Sequence, residues 1–128
     1  MAQKILLVDD DPDFIEINKM ILEANGYETD TANSSSEALE KIRSTNYDVA
    51  VIDLMMEELD SGFTVAYGIR DHENTRDLPI LMLTSAQEQT GFTFELSKDQ
   101  AWMKVDDFAA KPLKPAELLQ RVEKLLKK

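Results

Sequence analysis

A chain of 128 residues, 43% hydrophobic and 30% charged, has the size and composition of one globular domain with a single buried core. It contains no cysteine, which excludes disulfides, zinc–thiolate centres and thiol chemistry. A formal net charge of −11 argues against direct nucleic-acid binding, which needs a basic footprint, and equally against anionic membrane surfaces. Met1-Ala2-Gln3-Lys4 leads into only four apolar residues before three aspartates, too short a run for a signal peptide or a membrane span. The expectation is a soluble, cytoplasmic protein.

Along the chain, apolar strands alternate with amphipathic helices, the pattern of βαβ units. Ile5-Leu6-Leu7-Val8 is a buried strand, and Asp11-Pro12 after it reads as an N-cap with proline at the first helical position. Phe14, Ile17, Ile21 and Ala24 recur at helical spacing until Gly26 stops the helix. Tyr27 to Ala32 is a weaker strand at the sheet edge. Ser34-Ser35-Ser36-Glu37 starts a second helix whose inner face carries Ala38, Leu39 and Ile42. Val49-Ala50-Val51-Ile52 is the third strand, and Gly62 to about Arg70 forms a third helix with Phe63, Ala66 and Ile69 inward. Pro79 opens the fourth strand, Ile80-Leu81-Met82-Leu83. A fourth helix is expected within 87–103, although Gly91-Phe92-Thr93-Phe94 interrupts its period. The short strand Phe108-Ala109-Ala110 follows. Pro115 then opens the last helix, with Leu118, Leu119, Val122, Leu125 and Leu126 as its stripe.

The strands stop at polar residues: Asp9-Asp10, Asp30, Asp53, Thr84 and Lys111. In an open parallel α/β sheet, ligands bind outside the carboxyl ends of the strands. A lone aspartate at such a place is commonly a helix cap; acids, a hydroxyl and a lysine at successive strand ends describe a site. If Asp9, Asp10 and Asp53 converge, unit charges about 4 Å apart repel by roughly 4 kcal/mol at an effective dielectric near 20. Such carboxylates take up protons or hold a cation, and an all-oxygen set with room for water suits Mg²⁺. One carboxylate is then free to act as nucleophile and form an aspartyl phosphate; Asp53, ending the most continuously apolar strand, is the candidate. Thr84 can donate its hydroxyl to a phosphoryl oxygen. Lys111 can pair with Asp53 before the reaction and with the phosphoryl group after it.

Over essentially its whole length the chain resembles the receiver domain of bacterial two-component response regulators, the CheY-like family. The resemblance rests on Leu7-Val8-Asp9-Asp10, Val51-Ile52-Asp53-Leu54-Met55-Met56, Leu83-Thr84-Ser85-Ala86 and Asp106-Asp107-Phe108-Ala109-Ala110-Lys111-Pro112, in that order. It implies a doubly wound, flavodoxin-like α/β fold with a five-stranded parallel sheet in order 2-1-3-4-5 and helices on both faces. Residues 1–128 would form a single receiver domain. Asp53 would accept phosphate from the phosphohistidine of a sensor histidine kinase or phosphotransfer protein, with Mg²⁺ as cofactor. Asp10, Asp53 and the backbone carbonyl of Met55 would ligate the metal, with Asp9 acting beside them, partly through water. Thr84 and Phe108 would be a switch pair. On phosphorylation the hydroxyl moves toward the phosphoryl group, the ring turns inward, and the face of the fourth helix, fifth strand and last helix changes for a downstream protein partner. Lys111-Pro112 resembles the family's cis peptide. The implied protein is a phosphoacceptor signalling domain rather than an enzyme, with dimerisation on phosphorylation left open. Since the chain stops at its last helix, no output domain is expected within it.

Two segments depart from the family pattern. Glu57 stands where proline is usual, in a loop that reads one residue longer; Glu57, Glu58 and Asp60 either add to cation binding or face solvent inertly. The stretch from Thr84 to Lys111 is longer by about one helical turn and carries Phe92, Phe94 and Trp102, which form a partner surface or cap the core. His72, the single histidine, reads as exposed and without a phosphorelay role. Two rivals share the motifs. A haloacid-dehalogenase-type phosphatase would use Asp9 as nucleophile, although its acidic pair should follow the lysine. A pseudo-receiver would keep the fold as a binding module without phosphorylation.

Overall fold

The computed structural model describes residues 3–53, 61–85, 105–111 and 113–127, with the side chains of 61–63, 84–85, 108 and 110–111 excepted. In chain order the elements are β1 (Lys4–Val8), α1 (Pro12–Ala24), β2 (Glu28–Ala32), α2 (Ser35–Ser44), β3 (Val49–Asp53), α3 (Ser61–Asp71), β4 (Ile80–Ser85), β5 (Asp107–Lys111) and α4 (Pro115–Leu126). The strands form one sheet in the order β2-β1-β3-β4-β5, with every neighbouring pair parallel. Both the doubly wound class and the expected order are therefore met. The helix expected within 87–103 lies outside the described residues.

Alternate residues of the central strands enter different layers, because successive side chains of a strand point to opposite faces. Leu6, Val8, Ala50, Ile52, Ile80 and Met82 pack with Ala38 and Ile42 of α2 and Val65, Ala66 and Ile69 of α3. Ile5, Leu7, Val49, Val51, Leu81 and Leu83 pack on the other face with Leu22 of α1 and Leu118, Val122 and Leu125 of α4. Burial on both faces explains why β1, β3 and β4 read as unbroken apolar runs rather than alternating ones.

The helix starts follow the sequence signals. The Asp11 side chain accepts from the Asp13 amide at 3.0 Å, with Pro12 next, and Ser34 Oγ accepts from the Glu37 amide at 3.2 Å. Glu37 Oε1 in turn accepts from the Asn33 amide at 2.9 Å. Gly26, at φ 93, supplies the left-handed residue just beyond α1.

Two expectations need correction. The inner stripe of α1 is not Phe14, Ile17, Ile21 and Ala24: Ile17 is 52% exposed and Ala24 is exposed, whereas Asn18 and Leu22 are buried. The buried stripe passes through Asn18, a polar residue that a hydropathy pattern does not mark. Asp30 does not end its strand. It sits mid-β2 opposite Leu6, where its carboxylate accepts from the Tyr47 hydroxyl at 2.7 Å and lies 3.8 Å from Lys4 Nζ. Burial and this hydrogen bond to a carboxylate both hold the Tyr47 phenol well above its usual range.

Helices α2 and α3 touch at Gly68. A Cβ built there would lie 2.3 Å from Leu39 Cδ2, so the absence of a side chain allows the approach. Gly68→Ala gains about 1 kcal/mol of helix propensity. It also overpacks a half-buried leucine, at a cost of roughly 1–3 kcal/mol. The expected outcome in urea unfolding is a net loss of about 1 kcal/mol in the wild-type background. In a Leu39→Ala background the same substitution should instead gain about 1 kcal/mol, because only the propensity term remains.

Candidate functional site

The register of the sheet builds the site. Val8 pairs with Ile52, so the next residues on the two strands, Asp9 and Asp53, leave the sheet side by side. Order β2-β1-β3 makes this the point where the chain's winding reverses, the crevice in which open α/β sheets bind ligands. Asp9 is 2% exposed and Asp53 6%, whereas Asp10 is exposed. One carboxylate oxygen from each of the three lies within 4.8 Å of the others. The Asp9 amide donates to the Ala32 carbonyl at 3.0 Å, and Asp9 Oδ1 accepts from the Asp11 amide at 3.0 Å. The turn into α1 thus orients Asp9 while Pro12 and the Asp11 cap fix the helix start.

At that spacing and an effective dielectric near 20, each pair of charges repels by about 3–4 kcal/mol, an upper bound because solvent at Asp10 screens its share. The apolar strands hold the carboxylates together against this force. The donor set is oxygen only, two buried carboxylates beside a solvent-facing one, which matches a hard divalent cation that keeps several waters. The residues present therefore fit Mg²⁺.

Of the other expected site residues, Thr84 lies on β4 one position beyond Leu83, the partner of Asp53. Lys111 ends β5 opposite Ser85, and Phe108 pairs with Met82 lower on the same strand. The side chains of these three, together with Met55, Pro112, the Glu57-Glu58 loop and Trp102, lie outside the described residues. Asp30 does not join the site. One lining was missed in the sequence: a cavity of about 350 Å³ opens beside Asp9 and Asp10, bounded by Pro12, Ile15, Thr31, Ala32, Asn33 and Glu37. The Ser34-to-Glu37 capping pattern was the available signal, since it puts Glu37 on the first turn of α2, next to the end of β2. His72 is exposed, as expected.

A doubly wound parallel domain of the flavodoxin-like type, with three acids at its reversal point, defines a crevice suited to a divalent cation. Residues 5–123 match the family model of the response regulator receiver domain, and the chain belongs to that family. It is a receiver domain of two-component response regulators, a class of signalling domain that works with histidine kinases and downstream effectors. The transcriptional regulatory protein SrrA of Staphylococcus aureus is 35% identical over all 128 residues. The chain spans about half the length of that relative, 49%. Among solved structures, a response regulator of Chloroflexus aurantiacus described as putative is similar at TM-score 0.84 and 34% identity, with both chains fully covered. The receiver domain of the sensor histidine kinase PA1611 from Pseudomonas aeruginosa, solved with a magnesium ion coordinated in its active site cleft, is similar at TM-score 0.84 and 28% identity over all of both chains. The phosphatase and pseudo-receiver readings are not favoured by these matches. Among the described residues, no helix is long and apolar enough to cross a membrane.

Relief of carboxylate repulsion gives a direct test. Asp10→Asn should raise the stability of the metal-free protein by about 1 kcal/mol, the screened remainder of the pairwise repulsion. It should also weaken Mg²⁺ binding by about tenfold. Wild-type protein should gain about 2.7 kcal/mol at a Mg²⁺ concentration one hundred times its Kd, and the variant less at the same concentration. Thermal unfolding with and without MgCl₂, alongside calorimetric titration, reads all three.

Proposed function

We propose that Asp53 is the phosphoacceptor of a cytoplasmic signalling switch, and that residues 1–128 make up one receiver domain. The convergence of Asp9, Asp10 and Asp53 at the β1/β3 crevice, in a chain of this family, is the observation that carries the reading. An Asp53 carboxylate oxygen attacks phosphorus in line. The O–P bond forms as the P–N bond to the donor's imidazole breaks, and the electron pair leaves with that nitrogen. Asp53 is nearly buried at the end of a rigid strand, so its oxygen meets the donor with little reorganisation. Asp9, held by the Asp11 amide, and solvent-facing Asp10 would hold the cation together with Asp53 and the Met55 carbonyl. When bound, Mg²⁺ would neutralise charge on the incoming phosphoryl oxygens.

Thr84 and Lys111 then grip the phosphoryl group from the ends of β4 and β5, and Phe108 follows the movement of Thr84. The donor is a histidine kinase or phosphotransfer protein. The reader is a downstream protein on the face that includes β5 and α4, and the domain itself turns over no separate substrate.

Asp53→Asn should abolish incorporation of label from a phosphohistidine donor while leaving the circular dichroism spectrum unchanged. Label appearing on Asp9 instead would sink the assignment. Lys111→Ala should still be labelled on Asp53, yet lose at least about tenfold of the phosphorylation-dependent gain in partner affinity, the scale of a coupling energy near 1.4 kcal/mol. An unchanged gain would remove Lys111 from the relay.

A further inference from the structure

Glu37 is held in place by the start of its own helix. Its Oε1 accepts from the Asn33 amide at 2.9 Å, the return half of a capping box whose other half is the Glu37 amide donating to Ser34 Oγ. Its Oε2 lies 3.5 Å from Lys41 Nζ, which also donates to the Thr31 carbonyl. That separation is an ion pair rather than a hydrogen bond, so Oε2 keeps lone pairs for water. The half-buried carboxylate is thus oriented before any ion arrives.

The cavity of about 350 Å³ joins Glu37 to Asp9 and Asp10. Pro12, Ile15 and Ala32 give it apolar walls, while Thr31, Asn33 and Glu37 form its polar boundary beyond the acids. Liquid water occupies about 30 Å³ per molecule, so the space has room for several waters. Glu37 is not among the acids whose oxygens lie within 4.8 Å of one another, which are Asp9, Asp10 and Asp53. It therefore stands too far out to bind the same ion directly beside them. Mg²⁺ gives up water reluctantly and keeps several molecules in its shell. An ion held by Asp9 and Asp10 presents part of that shell to the cavity, where the apolar walls offer no acceptor.

We propose that Glu37 is a water-mediated partner of the cation, accepting hydrogen bonds from metal-bound water across the cavity and so raising affinity for Mg²⁺. The proposal rests on the reading of Asp9, Asp10 and Asp53 as the metal site. Groups that act on a metal through its ligands change affinity by about 10–100-fold. Glu37 is half-exposed and shares its charge with Lys41, so its share is smaller, about fivefold. The capping box then serves the metal as well as the helix.

Calorimetric Mg²⁺ titration of the full chain tests this with Glu37→Gln, which keeps the capping acceptor and removes the charge. The variant should keep its metal-free Tm within about 2 °C and bind Mg²⁺ about fivefold more weakly than wild type. Glu40→Gln, at an exposed position of the same helix that does not line the cavity, should leave Kd within about twofold. The loss in Glu37→Gln should persist at about 0.5 M KCl, where the screening length falls to about 4 Å and only short-range contacts survive. A residue that merely caps α2 predicts equal Kd for Glu37→Gln and wild type. That result, an equal loss in Glu40→Gln, or a difference that vanishes in salt overturns the role of Glu37 and leaves the three-acid site standing. Absence of Mg²⁺ binding by the wild-type chain overturns both.

Discussion

Three carboxylates that repel one another are held within a few ångströms, and the rest of the molecule supplies the force that holds them there. Asp9 and Asp53 cannot separate without moving β1 relative to β3, and these strands are locked by the ladder from Ile5–Val49 to Val8–Ile52 and by apolar layers on both faces. The strands are short, five residues each: β1 is apolar from Ile5 to Val8, with Asp9 the next residue, and β3 is apolar up to its final Asp53. The core thus holds three carboxylates at one place, a geometry that suits a divalent cation. Such a site is a receptor for positive charge before it is a site of chemistry.

Much of this was legible because the strands are buried on both faces. Continuous apolar runs bounded by polar residues have one reading in an alternating βα chain, and their ends fall at one edge of the sheet. Asp9, Asp10 and Asp53 were found by this logic. It failed at Asp30, because β2 is an edge strand with mixed polarity whose end cannot be seen from hydropathy; its acid belongs to a Tyr47 and Lys4 cluster mid-strand. It failed again in α1, where helical spacing fitted two neighbouring faces and polarity favoured the wrong one. The contact of Gly68 with Leu39 was invisible for another reason, since no local pattern marks a close approach between two helices.

The two helical layers differ in how tightly the sequence specifies them. On the α2/α3 side, Ala38, Ala66 and Gly68 let the helices sit close. On the α1/α4 side the layer is filled by larger side chains, Leu22, Leu118, Val122 and Leu125, around the buried amide of Asn18. A hydrogen bond from the Tyr27 hydroxyl to Glu123 Oε2 at 3.1 Å bridges this layer at its margin.

At the opposite end of the strands from the acids, a single guanidinium binds two carbonyls and a carboxylate. Arg70 donates to the carbonyls of Leu78 at 2.6 Å and Arg76 at 3.0 Å, and to Asp106 Oδ2 at 2.9 Å, while that same oxygen accepts from the Ile80 amide at 2.8 Å. The amino ends of β4 and β5 are thereby riveted to the tail of α3. That pin fixes the starts of two strands to one helix at the end of the sheet remote from Asp9 and Asp53.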